Sequence, residues 1–517
     1  MIRIAAGTDL KTGILFFTKA AADKLYDGEG GVFRGEYLQT LPRLSSEGKQ
    51  ECCVGLGEEP LSKREVMEAA ASGTAFMREH KISRFYVDVN GLGGFLTEEN
   101  FPYFIQGLCL GGYEPPRFLG EKKGKADRLS SNLEERYEAD ITLTGEIEQL
   151  TGMTKEQLKT VFGRGVHMAQ GILFARDMVN YPGNLLRPAD FAEAIRRQME
   201  GLNVEVGILD RKQLEELEMG GLLTVGGGSA FAPCMAVLRY RGAKAAKEEG
   251  EAEARDAQGK KDSSNEAGEP ETIGLIGKGV TCDTGGYCLK SSGSMAGIRG
   301  DMAGGAAVAG CIYALAADQA KVNVTGVIPI CENRISPDSY LPGDVITMYN
   351  KTRVEICNTD AEGRLILGDA AAYAVECEGV DKVVDIATLT GAVVSLFGFS
   401  IGGVLSDNEE LYARFEAAAD ISKEQYARIP YYEEHEEMLK SQAADLKNLG
   451  PDYCGTITVG LFIRRFVEGK PWLHMDIAGT AWVDQPIWKF QSKGATGAGV
   501  TTLYELCRGG ENEGLYA

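Results

Sequence analysis

Histidine is scarce, with only His80, His167, His435 and His474 in 517 residues. A histidine-built zinc site has few candidates, and His435-Glu436 lacks the second histidine of a helical zinc-protease motif. Positive charge is in deficit: 54 Lys+Arg face 75 Asp+Glu, a formal net charge of −21. Nucleic acid and anionic membrane surfaces both demand clustered cations, so the composition argues against either partner. The 12 cysteines form no C-x-x-C pair, and several, such as Cys311 and Cys331, sit in apolar runs. Buried thiols of a reducing compartment are the expectation. No G-x-S-x-G elbow carries a serine nucleophile. A phosphate-binding loop fails on spacing, because Thr272 stands where its first glycine belongs and Gly279 follows Lys278. The opening residues, Met1 to Asp9, lack the apolar core of a signal peptide. The one uncharged stretch long enough for a membrane, Ile386 to Ser406, is rich in Gly, Ser and Thr and reads as buried core plus a loop. A cytoplasmic protein is expected.

Glycine is what the chain has in excess: 66 residues, about 13% against a usual ~7%. They lie inside apolar stretches such as Gly220 to Gly228, which suits tight turns and close backbone approach. The pattern predicts an α/β protein. A smaller N-terminal α/β domain (1–163) is joined by a connecting helix (164–182) to a larger C-terminal domain (183–517) with a mixed central sheet covered by helices. Predicted strands include Gly13–Thr18, Arg84–Val89, Met235–Tyr240, Ile273–Ile276, Val324–Ile330 and Lys382–Ile386. Predicted helices include Leu61–His80, Gly165–Val179, Met302–Ala317 and Arg364–Glu376. Apolar strands alternating with helices imply a sheet covered on both faces. Lys244 to Glu271 is highly charged, with alanine as its only aliphatic side chain, and is expected to be a disordered surface insertion. Lys122 to Tyr137 reads as a charged surface segment.

Two stretches carry chemistry. One is Gly277-Lys278-Gly279-Val280-Thr281-Cys282-Asp283-Thr284-Gly285-Gly286, with Lys290 and Asp301 beyond it. The other is Asn358-Thr359-Asp360-Ala361-Glu362-Gly363-Arg364-Leu365. Each has a bland reading: a turn lysine, a helix-capping Asp301, a polar loop. Their shared position, each after an apolar strand and before a helix, is more telling, because open α/β sheets bind ligands beyond the carboxyl ends of their strands. Asp283, Asp301, Asp360 and Glu362 would meet Lys278, Lys290 and Arg364 at one sheet edge. Four carboxylates crowded there are costly unless neutralised, and two divalent cations would neutralise them.

With those residues in place, the sequence resembles the leucine aminopeptidase (cytosol aminopeptidase) family. The family pattern NTDAEGRL stands intact at Asn358 to Leu365, and GKG-x-T-x-D-[ST]-GG at Gly277 to Gly286. Similar segments occur at Ala175–Asn180, Ala387–Ala392, Gly455–Thr458 and Trp472–Trp482, so the resemblance spans roughly 165–505. It implies a metallo-aminopeptidase that removes unblocked amino-terminal residues of peptides, leucine among them, with a water activated by two metal ions, manganese or zinc. Lys278, Asp283, Asp301 and Glu362 would hold one ion; Asp283, Asp360 and Glu362 the other. Lys290 and Arg364 would be catalytic, the arginine carrying a bicarbonate base. Lys278 could ligate only as the free amine. A homo-hexamer is implied as well. Ile298 stands where the family usually has methionine, which bears on side-chain preference, and Gly450–Cys454 replaces a usual Arg-x-Ala-Gly segment. Rival readings are a narrow dipeptidase of the Cys-Gly type, a DNA-binding regulatory protein, which the net charge opposes, and a two-metal phosphatase, which the lysine ligand and scarce histidine oppose.

Overall fold

Runs rich in valine, isoleucine and phenylalanine become strands here, and alanine-rich runs become the helices between them. The computed structural model describes residues 1–5, 8–25, 33–118, 137–243, 270–295 and 297–509. It divides into two units, one of Met1–Leu173 with Asp484–Gly494, the other of Phe174–Val483 with Ala495 onward.

The first unit holds six strands: β1 (Ile2–Ile4), β2 (Thr12–Thr18), β3 (Thr40–Leu44), β4 (Gln50–Gly57), β5 (Arg84–Asp88) and β6 (Asp140–Thr144). Their order is β1-β6-β5-β2-β4-β3, parallel except for β3 against β4. Helix Lys63–Glu79 starts at a capping box in which Ser62 and Glu65 satisfy each other's backbone N–H groups. Its Val66, Ala69 and Ala70 pack with Phe101 and Phe104 of helix Phe101–Gly111 and with Ile14 and Phe16 of β2.

The second unit is built on a nine-stranded sheet. Its strands are β7 (Val204–Leu209), β8 (Cys234–Arg241), β9 (Thr272–Gly277), β10 (Gly279–Asp283), β11 (Asn323–Asn333), β14 (Lys382–Ala387), β15 (Gly402–Ser406), β16 (Tyr426–Arg428) and β18 (Trp472–Asp476). Between β11 and β18 in the chain, β12 (Val345–Thr347), β13 (Arg353–Glu355) and β17 (Leu446–Lys447) form a small sheet of their own. In the main sheet β18, β14, β9 and β11 run parallel side by side, so four carboxyl ends share one edge. The outer strands β8, β7 and β15 are antiparallel to their inner neighbours. The expected mixed α/β architecture is what the chain adopts.

Local differences have physical causes. The helix expected at Gly165–Val179 runs from Lys155 to Asn180. Gly163 and Gly165 weaken the helical signal, yet Gly165 is needed for contact: a Cβ there would lie 2.4 Å from the Pro102 carbonyl oxygen. Ile386–Ser406 resolves into the end of β14, helix Gly391–Phe397 and strand β15. The stretch Ile298–Ala317 is long and apolar enough to cross a membrane, but 78% of it is buried within the fold, as in a core helix. Of the expected insertion, 244–269 lies outside the described residues, as does 122–136 of the expected surface segment. Glu271 is a correction: rather than ending a free insertion, its carboxylate pairs with Lys382 at 2.7 Å and Arg414 at 2.9 Å.

Candidate metal centre

Lys278 is the single residue between β9 and β10. Its N–H donates to the Ile386 carbonyl (3.1 Å) and its own carbonyl accepts from Gly305 (2.8 Å). Helix Ala303–Ala317 can press this closely because it opens with glycines; a Cβ on Gly304 would stand 2.0 Å from the Ile386 oxygen. That approach carries Asp301, just before the helix, to the Lys278 side chain. The Lys278 Nζ lies 2.7 Å from both Asp301 oxygens, 2.8 Å from Glu362 Oε1 and 3.2 Å from the Thr388 carbonyl. Asp301 therefore does not cap the helix, and its second hydrogen-bond donor is the Thr388 hydroxyl at 2.9 Å.

Asp283 ends β10, and Lys290 bridges it (2.7 Å) to Asp360. Asp360 and Glu362 come from the loop between β13 and helix Gly363–Glu376, with Glu362 at that helix's N-cap position. The loop is held from several sides. Asn448 accepts from Cys357 N–H (2.7 Å) and donates to the carbonyls of Asn358 (2.7 Å) and Ala361 (3.3 Å). Asn333, at the carboxyl end of β11, donates to Asp283 Oδ1 and to the Thr359 carbonyl, both at 2.9 Å. The Thr359 hydroxyl donates to the Gly285 carbonyl at 2.6 Å, tying the two chemical stretches together.

The six groups Lys278, Asp283, Lys290, Asp301, Asp360 and Glu362 thus converge. Oxygens of Asp283, Asp301 and Glu362 lie within 4.8 Å of one another. Arg364 is buried on the first turn of the following helix, and its Nε and Nη1 have no hydrogen-bond partner among the described residues. Asn333, Thr388 and Asn448 carry geometry that motif reading did not assign. Their shared sequence signal is position, polar residues at or just past strand ends, and Thr388 also falls in the family-like segment Ala387–Ala392.

The electrostatics describe a site short of positive charge. Four carboxylates face two lysines. Burial, and then the charge of Asp283, push Glu362 up to about 8. Burial pushes Asp301 up to about 6 and holds Asp360 above its usual range. Burial alone would lower the Lys278 ammonium, but Asp301, Glu362 and Asp283 outweigh it and hold it above an ordinary lysine. Lys290 is likewise raised by Asp283, Glu362 and Asp301 against its burial. Burial pulls Arg364 down to about 10, opposed by Glu362. Glu362 Oε2 is buried with no hydrogen-bond partner among the described residues. An orphaned carboxylate oxygen inside a cluster of net negative charge fits a cation, and oxygen-rich donors suit hard or borderline divalent metals.

Comparison with known proteins agrees. The model of the cytosol aminopeptidase family, catalytic domain, matches residues 173–252 and 261–504. A "Probable cytosol aminopeptidase" of Clostridium perfringens is 34% identical over 478 residues, covering 92% of this chain and 90% of that one. Its namesake in Alkaliphilus metalliredigens is 36% identical over 481 residues, covering 92% and 89%. Among solved structures, a tomato leucine aminopeptidase mutant superposes with TM-score 0.79 at 28% identity, over 98% of this chain and 96% of that one. The bottromycin maturation enzyme BotP in complex with Mn gives the same score and identity over 98% and 99%. With its sheet-edge carboxylates, its matched catalytic region and its relatives along almost the whole length, this chain belongs to the cytosol aminopeptidase family.

Proposed function

We propose that this aminopeptidase uses two divalent ions, manganese or zinc, and accepts amino-terminal leucine among its preferred residues. The convergence of Asp283, Asp301 and Glu362 oxygens carries the reading. Lys278, Asp283, Asp301 and Glu362 would hold one ion, and Asp283, Asp360 and Glu362 the other. Two bound cations would supply Lewis-acid polarisation of the peptide carbonyl, a water acidic enough to attack near neutral pH, and a binding point for the free α-amine. Lys290, raised well above neutrality, donates to the oxyanion of the tetrahedral intermediate. Arg364 keeps its Nε and Nη1 without hydrogen-bond partners among the described residues, a place for a small anion, and bicarbonate as proton acceptor suits it. Asn333 and Asn448 hold the loops in register.

Two further readings accompany this one. All 12 cysteines are free, which supports a reducing, cytoplasmic setting. Leu396 and Phe399 are 63% and 60% exposed, apolar surface that assembly into a hexamer would cover; light scattering after size exclusion reads the subunit number.

The test is Glu362→Ala. Metal content by mass spectrometry and turnover of leucine p-nitroanilide should both collapse, because the variant loses a ligand shared by both ions. Full metal content with normal turnover would overturn the assignment. A panel of aminoacyl p-nitroanilides ranks leucine against other residues and exposes any effect of Ile298.

A further inference from the structure

The chain carries 75 acidic residues, yet one cavity of about 730 Å³ in the N-terminal unit is ringed by cations. Arg78, Lys81, Arg117, Lys489 and Lys493 line it, against only Glu79 and Glu114. Lys81, Arg117, Lys489 and Lys493 make no ion pair among the described residues. Arg78 is oriented by the carbonyls of Gly111 (3.1 Å) and Tyr113 (2.7 Å), with Glu79 only at 4.0 Å. Like charges around a hollow repel one another, and among the described residues no carboxylate pairs with these four. A cleft of one sign focuses its field on the solution and favours a ligand of the opposite sign.

The walls are preformed. The Glu68 carboxylate accepts from Lys489 N–H at 2.9 Å, and the Arg64 guanidinium stacks 4.3 Å over the Trp488 ring. Gln491 Oε1 accepts from the N–H groups of Ile487 (3.0 Å) and Trp488 (3.2 Å), closing the turn that presents Lys489 and Lys493. Leu110, Tyr113 and Tyr137 supply apolar surface to the lining, and the Tyr137 hydroxyl is occupied with the Ile82 carbonyl at 2.6 Å. Ser492 Oγ, also in the lining, is buried and has no hydrogen-bond partner among the described residues. The volume falls in the range of small-molecule sites, roughly 300–1,000 Å³. It exceeds what a single phosphate would fill, and four unpaired cations match the charge of a triphosphate.

We propose that this cavity binds a small molecule through a polyphosphate chain, held by Lys81, Arg117, Lys489 and Lys493 with a donor from Ser492. Free polyphosphate and a nucleotide share that chemistry. Titration calorimetry on the full chain, without added metal, compares ATP, tripolyphosphate and adenosine. ATP and tripolyphosphate should bind, adenosine alone should not, and binding should weaken as salt rises. Tighter ATP binding names a nucleotide as the source; equal affinities name free polyphosphate. The Lys489→Glu/Lys493→Glu and Lys81→Glu/Arg117→Glu variants should each lose roughly tenfold or more in affinity, while leucine p-nitroanilide turnover stays at the wild-type level and shows that they fold. Absence of binding by both anions overturns the proposal, as does unchanged affinity in both variants. Retention of a duplex oligonucleotide that the variants abolish, with ATP binding unaltered, assigns the surface to nucleic acid and equally overturns it.

Discussion

Two lysines 12 positions apart look alike in sequence and stand in different surroundings. The Lys278 side chain is 3% exposed and sealed between Asp301 and Glu362; Lys290 is 22% exposed and bridges Asp283 and Asp360. Lys278→Ala should weaken metal loading and recover in part with excess metal. Lys290→Ala should keep its metal and lose kcat by roughly 100–1,000-fold. Metal stoichiometry beside kcat separates the two; rescue of the Lys290 variant alone would reverse the roles. Asp369 is a residue-scale test of stability. It is buried, its oxygens accept from Tyr349 N–H (2.8 Å) and Leu222 N–H (3.0 Å), and burial pushes its carboxyl up to about 7. A folded pKa raised above the unfolded value near 3.8 costs nothing below pH 4. Between about pH 4 and 7 the unfolded chain ionises while the folded one holds its proton, so stability falls as pH rises, by on the order of 4 kcal/mol at most. Asp369→Asn removes that slope: its stability relative to wild type should climb from pH 4 to pH 7 in urea unfolding.

At the scale of elements, the decisive contact is helix Ala303–Ala317 against β9 and β14. Ala303-Gly304-Gly305 lets the helix backbone approach the sheet at the point where Lys278 interrupts it. Gly304→Ala places a methyl against the Ile386 carbonyl, a rigid neighbour that cannot swing aside. Overpacking of this kind costs about 1–3 kcal/mol. The variant should unfold at lower urea, and its folded fraction should show reduced metal affinity because Asp301 is drawn away from Lys278. An unchanged midpoint would mean that the helix shifts without strain. Apolar continuity explains the neighbouring strands: β11 is buried along its whole length, covered on both faces as a central strand should be.

For the whole molecule, the charged stretch between Ala243 and Pro270 is the test. Its composition offers nothing to bury, and lengthening a surface loop costs only ~0.6 kcal/mol per doubling. Glu271 must be kept, because Lys382 and Arg414 hold it at the head of β9. Deleting 244–269 and joining the ends with a short turn should leave kcat/KM for leucine p-nitroanilide within a factor of about three. A large loss without unfolding would mean that the segment reaches an active site, its own or a neighbour's.

The alternation of strands and helices was legible in the sequence because burial leaves a periodic trace in each local window. Both chemical stretches were legible too, since Lys278–Asp283 and Asp360–Arg364 follow apolar runs, and strand ends are where an α/β sheet binds. Partnerships across the chain left no such trace. Lys278 meets Asp301 across 23 residues and Thr388 across 110, and Asn448 reaches its loop across 91. A polar residue at a strand end has no periodicity to report, so Asn333 and Thr388 emerge only when the parallel strands of the main sheet bring their carboxyl ends to one edge, and Asn448 only when β17 pairs with β13 in the small sheet. Glu271 reads as part of the charged insertion for the same reason: its carboxylate is satisfied by Lys382 and Arg414, far along the chain. Segment 484–494 lies more than 300 residues beyond the strands and helices it joins. Its lysines become a cation ring only through that packing, because local sequence encodes which faces are apolar while the fold alone decides which charges share a cavity.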